Sequence, residues 1–176
     1  DRIPMTAEMK AVFEPENLMN ASPATVSRMG IIYFSISVLG WEPLATSWLQ
    51  TRREKEQPLL RDLIDKYIKP LLEFIRLECK PVMYSTEGIY LNGAFKVLEE
   101  LTAPYIEAKQ FLPDDHMEKL WIYSLCWSLG ALLELEDRVK FNEKLLSIAG
   151  NGPPVGESET AYEYFCDQTG AWQHWN

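Results

Sequence analysis

The chain has 176 residues, 47% of them apolar and 12% aromatic, with a formal net charge of −9. That is enough apolar mass for a real core, which excludes a disordered polymer. The acidic balance argues against a general nucleic-acid or anionic-membrane binder, because phosphate contact needs clustered Lys and Arg. Cys79, Cys126 and Cys166 lie far apart with no CxxC or Cys/His metal spacing. Neither a disulfide framework nor a zinc site is expected, and a reducing compartment is the easy reading. The opening "DRIPMTAEMK" has no initiator Met, basic n-region or cleavage pattern, so it is not a signal peptide and reads as the interior of a longer polypeptide.

In chain order, "MKAVFE" (9–14) and "GIIYF" (30–34) read as two strands. Both are nearly continuous apolar runs, as in the interior of a parallel sheet. Two strands alone do not make a stable sheet, so residues 1–42 are expected to be the end of a sheet whose other strands lie elsewhere. Between them, "SPATVSR" (22–28) places Ser22 as an N-cap before Pro23, and one or two helical turns would leave Arg28 at their end.

From Pro43 the chain turns helical. "EPLATSWLQTRREKE" (42–56) puts Leu44, Trp48 and Leu49 on one face. Next, Leu59, Leu60, Leu63, Ile64, Tyr67, Ile68, Leu71 and Leu72 repeat at helical spacing, with Pro70 expected to kink or interrupt the helix. "GIYLNGAFKVLEEL" (88–101) is a third helix. Asp115 and Glu118 fit a capping box for a fourth over 116–133, whose all-round apolar surface marks it as the central buried helix. Its apolar stretch is too short and interrupted to span a membrane. "EDRVKFNEKLLSI" (136–148) is a fifth. "AGNGPPVGESE" (149–159) reads as a linker, and "AYEYFCDQTGAWQHW" (161–175) as a hairpin turning at Thr169-Gly170. The expected organisation is a strand–turn–strand piece over 1–42, a helical bundle over 43–149, and a linker with hairpin over 150–176.

The chain contains no GxxxxGK[ST] or GxGxxG nucleotide loop, and no HExxH, GxSxG or EF-hand loop. His116 and His174 read as surface or capping residues, and no acid/base or nucleophile set converges. Arg28 stands out: it is the only Lys, Arg or His between Phe13 and Gly30. Two readings stay open for it. It bonds the last carbonyls of its short helix, or it is a planar, permanently charged fork aimed at a neighbour's phosphates.

"RIPMT", "MKAVFE", "NASPATVSRMG" and "LGW", in that order, closely resemble dynein heavy chains just past the Walker B segment of the second AAA+ module of the motor ring. "LWIYSLCWSLGALLELEDRVKFNEKL" looks like the helix pair of that module's small subdomain, and "AYEYFCDQTGAWQHW" like its closing segment. The resemblance spans essentially the whole chain, and "FEPENLMNASPATVSR" is most like axonemal, outer-arm heavy chains.

The resemblance implies an α/β start, the end of a P-loop AAA+ parallel sheet, then an α-helical lid and a C-terminal β-hairpin, mostly α overall. It implies a segment of an ATP-driven, minus-end-directed microtubule motor. Arg28 would be the arginine finger offered in trans to ATP at the first module, and "MKAVFE" the sensor-one strand. Asn17 would be a polar sensor, though "PEN" is also good turn chemistry, and Glu14 is similarly placed. Trp41 and Pro43 would lie where the base end of a nucleotide is held, or Trp41 would serve as a packing aromatic at a hinge. Arg138 would reach phosphates from a lid helix, or pair with Asp137 or Glu134. No metal ligands are assigned. ATP or ADP with Mg would belong to the parent ring. With Walker A and B absent from these residues, this stretch alone is not expected to hydrolyse ATP. Implied partners are neighbouring AAA+ modules, microtubules, and dynein intermediate and light chains, with no nucleic acid and no membrane. The implied location is the axoneme of a cilium or flagellum, or the cytoplasm if the motor is not axonemal. The competing reading is a stand-alone helical interaction module with no nucleotide role.

Overall fold

The computed structural model describes residue 6 and residues 8–34 and 40–175. It divides into two units, Asp1–Ser35 and Ile36–Asn176. Most of the "RIPMT" lead-in, and Leu39 of "LGW", lie outside the described residues.

The described part of the first unit holds one element, the single-turn helix α1 (Pro23–Val26). Neither 9–14 nor 30–34 forms a strand here, contrary to the expected sheet end. A strand exists only through its ladder partners, and neither segment has one among the described residues. Their apolar residues are correspondingly open: Val12 is 88% and Ile32 79% exposed.

The second unit is a helical bundle with a small closing hairpin. Its helices are α2 (Glu42–Gln50), α3 (Gln57–Glu78), α4 (Glu87–Glu107), α5 (Asp114–Ser128) and α6 (Leu135–Ile148). The apolar stripe of α3 is buried as its spacing predicts, with Tyr67, Ile68 and Leu71 fully enclosed. Pro70 does not end the helix, which runs unbroken to Glu78. Helix α4 packs along α5, α3 against α6, and α2 across α3 and α4. Between them Trp48 stacks on Phe95 (centroids 4.1 Å apart), which in turn lies against Trp121. Such aromatic pairs add attraction beyond the area they bury.

Helix α5 is the central element, as expected, with Met117, Trp121, Ile122 and Leu125 each no more than 1% exposed. The expected capping box is absent. The helix starts at Asp114 behind Pro113, with no side-chain cap. Asp114 and Asp115 in the first turn complement its positive end instead, and Glu118 points into the core. After α5 the chain tightens into a 3₁₀ turn, Gly130–Leu132. An antiparallel bridge between Pro81 and Leu133 ties this segment to the α3–α4 loop.

The chain closes with a 3₁₀ turn, Ala161–Glu163, and strands β1 (Tyr164–Cys166) and β2 (Trp172–His174), paired Tyr164 with His174 and Cys166 with Trp172. Thr169 and Gly170 occupy the turn as their sequence predicts, with Gly170 at φ 83°. Both 161–163 and β1 pack on α5.

Candidate functional site

The turn carrying Arg28 is built by local hydrogen bonds. The Ser22 hydroxyl caps α1 by accepting from the Thr25 amide at 3.1 Å and pairs with the Thr25 hydroxyl at 2.8 Å. Pro23 supplies the preset φ of the first helical position. At the other end, the Ser27 hydroxyl donates to the Ala24 carbonyl and the Arg28 amide to the Thr25 carbonyl. The backbone of Arg28 thus closes the turn, but its side chain does not. The guanidinium is exposed and has no hydrogen-bond or ion-pair partner among the described residues. It is not bonding the last carbonyls of its own helix.

Asn17 uses its side-chain oxygen locally, accepting from the Met19 amide at 3.2 Å, which is turn chemistry. Glu14 is exposed, outside any regular element.

In the second unit, Trp41 packs on the core at the start of α2, and Pro43 sits in the first turn of that helix. Trp41, Ala45, Leu49 and Ile64 form the apolar part of a shallow cleft of about 100 Å³, rimmed by Glu42, Thr46, Arg61 and Asp65. Arg61 is the cation of its rim. Arg138 donates to the carbonyls of Leu133 and Ala131, both at 3.0 Å. It caps the 3₁₀ turn rather than pairing with Asp137 or Glu134. Asp137 instead accepts from the Lys80 amide and the Lys140 ammonium, each at 2.7 Å. No triphosphate-binding donor set is assembled among the described residues of this unit.

Two polar constellations escaped sequence reasoning. Glu118, 7% exposed, accepts from Lys66 and Tyr67 on α3 at 2.6 Å each, and from Asn151 at 2.5 Å in the segment after α6. Burial alone would raise its carboxyl, but these donors and the Gly150 amide outweigh it and hold the group down at about 2. The signal in the sequence was an acid inside an otherwise apolar helix face, which demands partners. The second is His116, expected at the surface and found 5% exposed beneath the hairpin turn. Nothing in the sequence says that residue 170 folds back over residue 116.

Comparison with known proteins follows the same outline. Residues 60–176 match the family described as the dynein heavy chain AAA lid domain. The dynein gamma chain of the flagellar outer arm from Chlamydomonas reinhardtii is 46% identical over 99% of this chain. Dynein axonemal heavy chains 8 and 5 of Mus musculus are 39% and 35% identical over 100% of it. In each case the chain spans 4% of the relative's length.

Proposed function

The chain belongs to the dynein heavy chain AAA lid family, and from that premise we propose that it supplies the second AAA+ module's arginine finger and lid to the ring of an axonemal, outer-arm motor. Residues 43–149 are the lid, residues 1–42 complete the large subdomain's sheet, and residues 150–176 lead towards the next module. The parent motor hydrolyses ATP with Mg and moves towards microtubule minus ends, in the axoneme of a cilium or flagellum. Its partners are the neighbouring modules of the same heavy chain, microtubules, and the intermediate and light chains.

The observation that carries this proposal is Arg28. It is the single Lys, Arg or His between Phe13 and Gly30, held on a capped turn with no partner for its guanidinium among the described residues. A helix-end or salt-bridge arginine would engage a group of its own chain; among the described residues this one engages none, which suits a role towards a neighbour. Two parallel N–H donors on a planar fork match the oxygens of a terminal phosphate and place positive charge where negative charge accumulates as the phosphoryl group departs. Nucleotide-site chemistry elsewhere assigns such a finger about 10³–10⁵ in rate. When ATP is hydrolysed at the first module, the contact to Arg28 is lost and the interface opens as a rigid-body switch, which the lid passes on. Trp41 borders a cleft that would take the base of the module's own nucleotide, and Pro43 lies two residues on in the first turn of α2. Arg138 and Asn17 are already engaged in the local bonds described above, which makes them secondary candidates.

The test is ATP turnover by the intact heavy-chain motor, with and without microtubules, after Arg28→Lys. Lysine keeps the charge and removes the fork. A fall of roughly two orders of magnitude or more, with nucleotide binding retained, is expected. Unchanged turnover removes the finger and leaves this stretch as scaffold.

A further inference from the structure

We propose that His116 and Gly170 form an acid-sensitive latch that seats the C-terminal hairpin on the lid and releases its tip when the imidazole is protonated. The inference stands on the lid's own geometry and does not depend on the role of Arg28.

The tip, residues 167–171, is held from three sides. Lys119 on α5 donates to the Gly170 carbonyl at 2.7 Å, and Tyr105 on α4 to the Gln168 carbonyl at 3.2 Å. Just beyond the tip, the Trp172 indole donates to the Asn151 carbonyl at 2.9 Å. Within the turn, Asp167 accepts from the Thr169 and Ala171 amides, and its own amide donates to the Ala171 carbonyl. His116 is the floor. Its ring meets Tyr105 edge-on at 5.6 Å, and a Cβ placed on Gly170 would lie 3.0 Å from the ring. Only a residue without a side chain, and at ease at φ 83°, closes this contact.

The imidazole Nε2 is buried and has no partner among the described residues. A neutral ring tolerates that position as an unprotonated nitrogen. A protonated one puts an unsatisfied N–H and a positive charge there. The charged neighbours are Asp115 and Lys119 on α5 and Asp167 on the hairpin, with Tyr105 on α4 and the Cys166 thiol nearby. Burial lowers the affinity of the ring for a proton and Lys119 lowers it further, while Asp115 and Asp167 oppose them, leaving the group below the ordinary imidazole range. The positive end of α5, three residues into which the ring sits, acts in the same direction as burial. With the folded value depressed, the contact is fully stabilising above about pH 6.5, the ordinary value of a free ring, and is lost as pH falls below it. Asp167, held at about 2 by Thr169, the Ala171 amide and Gln173, stays ionised throughout that window.

Hydrogen exchange on the intact heavy chain, corrected for intrinsic rates, reads the latch at the amides of Asp167, Gly170 and Ala171. Between pH 7.5 and 5.5 their protection is expected to fall by up to about tenfold, the ceiling for one group released to a value of about 6.5. His116→Gln should abolish that response. His174, the other imidazole of the region, lies 3.8 Å from Glu159, and His174→Gln should leave the response intact. Gly170→Ala should expose the tip already at pH 7.5, with no further change on acidification and with helix α5 still protected. It tests the contact even if His116→Gln unfolds the lid. A flat wild-type profile, a response that survives His116→Gln, or a Gly170→Ala tip as protected as wild type would overturn the proposal.

Discussion

Glu118 shows how much of the lid's order rests on single polar side chains. Its carboxylate joins α3, α5 and the segment after α6, and every donor it uses would be left without an anion if it were removed. Glu118→Gln keeps the shape and loses the charge. We expect it to destabilise the lid by about 1–3 kcal/mol at neutral pH. The low end of that range is favoured because the Lys66 side chain is 40% exposed and water can replace its partner. Because the folded carboxyl is held at about 2, its contribution is complete above the ordinary carboxylate range and fades as pH drops towards 2. Denaturant midpoints of the lid transition should therefore differ between wild type and Glu118→Gln at pH 7, with the gap narrowing below about pH 4.5 and closing only near pH 2. A gap that does not depend on pH would mean that the carboxylate is not the acceptor that matters.

At the scale of elements, the 3₁₀ turn after α5 is the tightest joint. A Cβ on Gly130 would lie 1.8 Å from the Tyr162 hydroxyl and 2.9 Å from the Phe141 ring, and Phe141 is fully buried. Gly130→Ala should cost about 1–3 kcal/mol by overpacking and loosen the Ala161–Glu163 turn first, seen as faster amide exchange there than in α3. An Ala variant as stable as wild type would show that the joint is looser than drawn. The same elements explain what the sequence disclosed. The stripe of α3, the all-round apolar α5 and the Thr169-Gly170 turn were legible because each is set by residues close in the chain. The expected capping box does not form because Glu118, which satisfies the local pattern, is claimed by a stronger set of donors 33 and 51 residues away. The burial of His116 was invisible for the same reason: its neighbour Gly170 arrives only through the fold.

At the scale of the molecule, the two units differ in kind. The second unit encloses a continuous core from Ala45 to Ala161. In the other unit, α1 carries no buried residue, and Phe13, Ile32, Tyr33 and Phe34 are each at least 68% exposed. These apolar segments, read as strands in the sequence, form no strand among the described residues, and the chain spans 4% of the length of the curated relatives it matches. The Arg28 turn was legible in sequence because its caps are local. The proposed destination of its guanidinium was not, since a group outside this chain leaves no mark on the local pattern, and the resemblance alone suggested it. The most direct measurement is the position of that side chain in a cryo-EM structure of the intact motor ring, trapped with ADP and vanadate in place of the transferring phosphate. The account predicts the Arg28 guanidinium within hydrogen-bonding distance, about 3 Å, of the vanadate oxygens bound at the adjoining module. An Arg28 turned back onto its own module, with the neighbouring vanadate held by other residues, would contradict it.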